Sequence, residues 1–184
     1  MLFSTTSLLA LAATALASPA RRAETVCPAA TTLEYAQRVV YAYAQTAPGA
    51  TYAAFESIPF GVGGKSGACT TVIIPDGTGC QIPVGTTGNG VVQFGTETRQ
   101  AFSQVTGQYE TFPNGTSLIR TNVTLGVRNL VPVPFTFTGE VYLDFNSDCD
   151  IYAVRAYAQV PTKVLEQEFQ LAGIPIAACT DLPV

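Results

Sequence analysis

The stretch PFTFTGEVYLDFN, residues 134–146, sets how the rest of the chain is read. Phe135, Phe137, Val141, Leu143 and Phe145 share one parity, and Thr136, Thr138, Glu140, Tyr142 and Asp144 share the other. Successive side chains of a strand point to opposite faces, so this pattern predicts a strand with one apolar and one polar face. The same alternation runs through 117–128 and 150–160. In the first of these, Ile119, Val123, Leu125 and Val127 face inward while Arg120, Asn122 and Arg128 do not. In the second, Tyr152, Val154, Ala156, Ala158 and Val160 make the apolar face, with Arg155 and Tyr157 opposite. Three such strands predict an antiparallel sheet covered by helices on one side only.

The flanking segments supply the helices. Over residues 31–45, Leu33, Ala36, Val40, Tyr43 and Ala44 recur at helical spacing. Thr31 and Glu34 match a capping box, Glu34 and Arg38 lie one turn apart, and Pro48-Gly49 is a stop. Shorter helices are expected over 52–57, 96–105 and 162–172. Residues 60–91 are rich in glycine, with short apolar runs at 70–74 and 81–84 around an Asp76-Gly77 turn.

This order of elements, together with FGTETRQAF at 94–102 and FTGEVYLDF at 137–145, resembles the SnoaL-like branch of the nuclear-transport-factor-2-like superfamily over about residues 31–160. The resemblance implies an α+β fold, with N-terminal helices packed on a curved antiparallel sheet that forms a cone. It also implies that a homodimer through the open sheet face is available. Cyclases and isomerases of this architecture place an acidic or histidine base inside the cone. Residues 23–184 then form a single domain, and 60–91 reads as an insertion.

The chain has 184 residues, room for one domain. It is 47% hydrophobic and 12% charged, about half the roughly 25% of ordinary soluble proteins, which excludes a disordered chain. There is no histidine, so Ser-His and Cys-His relays and His-ligated metal sites are excluded. Residues 1–17 read as a secretory signal peptide, with an apolar core over 8–16 and an Ala15-Leu16-Ala17 cleavage site. That core is far shorter than the roughly 18 residues of a membrane span. Arg21-Arg22 reads as a processing site that ends a propeptide at 18–22, so the mature protein is expected outside the cell. Removing the pair leaves seven Lys and Arg against thirteen Asp and Glu. A net charge of −6 repels phosphate backbones and disfavours nucleic acid as a partner.

Five cysteines follow the signal, with no metal-binding spacing. In an oxidising compartment two disulfides and one leftover are expected. The hairpin around Asp76-Gly77 favours a Cys69–Cys80 pair. Cys27 and Cys179 lie near the ends of the domain and could clamp them, and Cys149 competes for either. Asn114-Gly115-Thr116 and Asn122-Val123-Thr124 are glycan acceptor sequons.

Two motifs fail on inspection. Gly61-Val62-Gly63-Gly64-Lys65-Ser66 resembles a phosphate loop, but Pro59 stands where the first glycine belongs, so a mobile loop is expected. Asp144, Asn146, Asp148 and Asp150 match half of a calcium loop, but Cys149 and Arg155 occupy its required Gly and Glu positions. A tight acidic turn is the reading there, with no metal and no cofactor. For acid–base chemistry only Asp144 stands in reserve, since alternation points it outward unless a bulge reverses the parity. The aromatic set Tyr43, Phe55, Phe94, Phe102, Phe135, Phe137 and Tyr152 is expected to line a ligand pocket. Three functions remain open: a binder of a small apolar molecule, a cofactor-free isomerase, cyclase or hydratase, and an extracellular interaction protein with a filled core.

Overall fold

A computed structural model describes residues 26–75, 80–127, 131–171, 173 and 180–181. The expected signal peptide, propeptide and dibasic pair, the Asp76-Gly77 turn and Cys179 lie outside these residues. The elements are α1 (Ala29–Ala44), α2 (Ala50–Glu56), β1 (Ala68–Pro75), β2 (Cys80–Thr87), α3 (Gly88–Thr98), β3 (Phe102–Thr111), β4 (Thr116–Val127), β5 (Val131–Phe145), β6 (Ile151–Ala158), α4 (Thr162–Leu171) and β7 (Thr180–Asp181). The strands form one sheet in the order β3-β4-β5-β6-β1-β2-β7. The three patterned strands are its centre, and α1 lies on β3 and β4.

Three expectations change. The segment around 60–91 contributes β1 and β2 to the main sheet, and β1 pairs in parallel with β6. The sheet is therefore mixed. In β1, Ile73 and Ile74 are neighbours on opposite faces and both are buried. A strand covered on both sides has a continuous apolar run and shows no alternation. The helix expected over 96–105 lies earlier, as α3, and Thr87 caps it by accepting from the Gly90 amide. Three glycines in GNGVVQFGTET hide its propensity. Residues from Phe102 onward are strand, paired residue by residue with β4 from Gln104 after a bulge. Helix α1 starts at Ala29, and the Thr31 amide already donates to Pro28 O at 2.9 Å, so no capping box forms. The Glu34–Arg38 pair does form, at 2.6 Å.

The loop at 61–67 is a packed knot. Gly61 N donates to Ile151 O, Val62 N to Ala68 O, Gly88 N to Gly67 O and Asn89 N to Lys65 O. Lys65 Nζ donates to Ile58 O and lies 5.6 Å from the centre of the Phe60 ring. A Cβ on Gly67 would sit on the Val62 carbonyl, and one on Gly88 on the Phe60 carbonyl. The glycines serve close backbone approach here, which composition alone reads as mobility.

The cysteines pair differently too. Cys27 bonds Cys149 with a Cα–Cα distance of 5.0 Å, tying the start of α1 to the turn between β5 and β6. Cys69 is a buried free thiol, so the expected Cys69–Cys80 disulfide is absent. The hairpin register explains this. Ile73 faces Ile82, which carries Cys80 opposite Pro75, six residues along the strand from Cys69. Six residues of strand span about 20 Å, far beyond disulfide reach.

The acidic turn is self-contained. Asn146 Oδ1 accepts from the amides of Asp148 (3.0 Å) and Asp150 (2.8 Å), and Asp150 Oδ2 accepts from Gly63 N at 2.8 Å. Among the described residues no cluster could hold a metal ion.

Candidate functional site

Between the helices and the inner face of the sheet the core is split into two clusters. Phe55, Phe60, Val91, Ile119, Leu143 and Val154 belong to one, and Ile73, Val123, Phe137 and Leu165 to the other. A cavity of about 130 Å³ lies between them and is lined from both sides. Its origin is local. Gly107, Thr121, Gly139 and Ala158 face each other across β3, β4, β5 and β6, so four small residues form one row on the inner face. The row is thin enough for α1 to close over it: a Cβ on Gly107 would come within 2.9 Å of Val40 Cγ2. Larger side chains ring the hollow.

Of the aromatics expected there, Tyr43, Phe55, Phe94, Phe102 and Phe137 line the cavity. Tyr43 meets Phe55 edge-on at 5.0 Å and Phe102 at 5.7 Å, and Phe102 meets Phe137 at 6.4 Å. Phe135 packs against the second cluster but is not in the lining. Tyr152 is 45% exposed and leaves the set. A bulge causes this: Asp144 faces Ala153 but Phe145 faces Ile151, so Ile151 takes the inward place and Tyr152 turns out. Val39, Val40, Ile119, Val154, Ala156 and Leu165 also line the cavity. Leu165 projects from α4 and is buried. The small-residue row was the available signal for the hollow, and it appears only once the strands are placed in register.

The polar groups at the lining are few. Thr98 Oγ1 donates to Phe94 O at 2.8 Å, so its single hydrogen is engaged, and the 3.0 Å contact with Tyr43 has the tyrosine hydroxyl as donor. Thr121 Oγ1 donates to Gly139 O. Burial pushes the Tyr43 phenol up, and the Thr98 hydrogen bond and the Arg99 charge offset part of that. Burial likewise raises the Cys69 thiol, against Thr71, the Gly61 backbone and Lys65. Both groups are held neutral in the fold. Their contribution to stability is whole below the ordinary values of 9.0 for the thiol and 10.0 for the phenol, and is lost as pH rises above them toward the folded values. Denaturation midpoints measured from pH 7 to 11 should fall in that window, and less steeply in Tyr43→Phe. An identical alkaline slope in that variant would show that Tyr43 is not held neutral.

Asp144 is outside the cavity. On the outer face it receives Arg155 Nη2 at 2.9 Å on both oxygens and Thr116 Oγ1 at 2.9 Å. Glu140 shares that face, 3.6 Å from Arg120.

No protein-family profile and no curated protein matches the sequence. Solved structures do match. A de novo designed protein with a curved β-sheet is 13% identical, with a TM-score of 0.50 over 79% of this chain and 99% of its own. A hypothetical protein with a ketosteroid isomerase-like fold from Catenulispora acidiphila, solved with trimethylamine, is 15% identical, with a TM-score of 0.47 over 78% and 95%. A SnoaL-like polyketide cyclase from Jannaschia is 10% identical, with a TM-score of 0.47 over 79% and 94%. At these identities the likeness is one of fold. The fold is α+β, with helices packed on one mixed sheet, and it shares its architecture with the designed curved-sheet protein.

Proposed function

We propose that the chain is a secreted protein that takes up a small apolar molecule in its cone and does no chemistry on it. The observation that carries this is the lining: aliphatic and aromatic side chains, with Thr71, Thr121 and the Tyr43 hydroxyl as the polar members. Engineered apolar cavities of roughly 150 Å³ in other proteins bind benzene, so a volume of about 130 Å³ suits a ligand of one ring. A cyclase or isomerase needs a base within hydrogen-bond reach of its substrate. Asp144, the reserve base, is engaged by Arg155 on the far face.

Secretion is supported by residues 1–17, the dibasic pair and the Cys27–Cys149 bond. Among the described residues no helix is long and apolar enough to cross a membrane. Pairing of two copies through the open face of the sheet, as the resemblance implies, requires that face to be bare.

Toluene or indole, titrated into the purified protein, should raise its melting temperature. Saturation a hundredfold above Kd stabilises by about 2.7 kcal/mol, roughly 5–10 °C for a domain of this size. If no single-ring probe shifts the transition, the cavity is filler and the interaction-protein reading replaces this one. Conversion of a bound probe would remove the non-catalytic half.

A further inference from the structure

The outer face of the sheet carries one of the two sequons at its centre. Asn122 lies in β4, with Thr106 of β3 on one side and Thr138 of β5 on the other. It is exposed, as are Thr106, Gln108 and Thr138. Residues two apart in a strand share a face, so Thr124, the hydroxyl the sequon requires, stands on the same side. Around Asn122 runs a groove of about 490 Å³ lined by Thr106, Gln108, Arg120, Thr138, Glu140 and Gln159. Thr138 Oγ1 donates to Gln159 Oε1 at 2.6 Å, and Arg120 reaches Glu110 at 2.9 Å, so the lining is already ordered. The other sequon differs. Asn114 sits in the tight turn between β3 and β4, where its Oδ1 accepts from Thr116 N.

We infer that Asn122 carries an N-linked glycan whose first sugars lie in this groove and close the outer face to a second copy. The inference rests on the secretion reading above. In the attaching step the Asn122 carboxamide nitrogen bonds the anomeric carbon of a lipid-diphosphate-linked oligosaccharide. The lipid diphosphate leaves, and one amide proton is lost. An N-acetylhexosamine presents hydroxyls and an acetamido group. Arg120, Glu140 and the two carboxamides match these as donors and acceptors, and the exposed Tyr157 offers an apolar surface beside Glu140. A glycan at Asn114 extends from a hairpin tip into solvent.

Full-length protein secreted from a eukaryotic host should carry glycan at both positions by peptide mapping. Endoglycosidase should release the Asn122 glycan severalfold more slowly than the Asn114 glycan from native protein, and at equal rates after denaturation. Arg120→Ala with Gln159→Ala should speed native release at Asn122 alone. The glycosylated chain should sediment as a monomer. Asn114 occupied with Asn122 empty overturns the inference and leaves secretion intact. Both positions empty on secreted protein overturns the inference, and a chain retained inside the host with neither position modified overturns secretion and this inference with it. Equal native release rates, or a dimer carrying the Asn122 glycan, overturns the seating.

Discussion

Replacing Cys27 and Cys149 by serine is expected to cost about 4–5 kcal/mol. The bond spans a sequence separation of 122 residues. In the chain-entropy account the gain from a cross-link rises with the loop it closes, reaching about 4.7 kcal/mol at 100 residues. Both sulfurs lie in or against the first core cluster, beside Tyr35 and Phe145, whose rings are 6.2 Å apart. A buried hydroxyl at position 27 adds a desolvation cost. Such a loss is a large share of the 5–15 kcal/mol that holds a typical domain together. Urea midpoints with and without reductant measure it, and non-reducing peptide mapping fixes the partners. A midpoint that ignores reductant, or a peptide joining Cys27 to any other cysteine, would refute it.

The same bond shows where sequence reading stops. The three central strands were legible because period-two alternation is a one-dimensional signal, and Asp144 and Glu140 lie on the outer face as that parity requires. The helix cover on one side of the sheet followed from the same pattern, whereas the cone was implied by the resemblance alone. What failed depended on register or on contact between distant segments. Cys69 and Cys80 flank a hairpin in sequence yet stand six residues apart along its strands. Tyr152 obeys alternation until one bulge turns it out. Strand β3 was hidden because its inward positions include Gly107, which breaks the apolar alternation on the row that makes room for the cavity. Gly61 and Gly67 are placed by backbone close approach and Gly63 and Gly64 by a left-handed backbone, properties no composition count carries. Five of the seven aromatics named from sequence do line the cavity, since they fall on inward positions of α1, α2, α3, β3 and β5.

Phe137→Ala should lower stability by about 3 kcal/mol and change which ligand the cone prefers. Phe137 is 7% exposed, stands edge-on to Phe102 and closes one side of the cavity. Phe→Ala in a solid core costs about 3–5 kcal/mol, of which part is the void left behind. Here the ring already borders empty space, so truncation enlarges an existing hollow. Inner-face neighbours cannot collapse into it, because Thr121 is tied to the Gly139 carbonyl and the strands hold their register. Because the ring already makes fewer contacts on its cavity side, the cost falls at the low end of the range even though the hollow persists, a drop of roughly 6–12 °C in Tm at 2–4 °C per kcal/mol. A single-ring ligand loses its contact with the removed face and binds more weakly. A two-ring ligand such as naphthalene gains the vacated volume and should stabilise the variant more than it does the parent. Thermal unfolding of both proteins with toluene and with naphthalene decides the matter. A full 5 kcal/mol loss with no rescue by naphthalene would mean that Phe137 is ordinary core. Unchanged melting and unchanged binding would mean that Phe137 bears on neither the core nor the ligand.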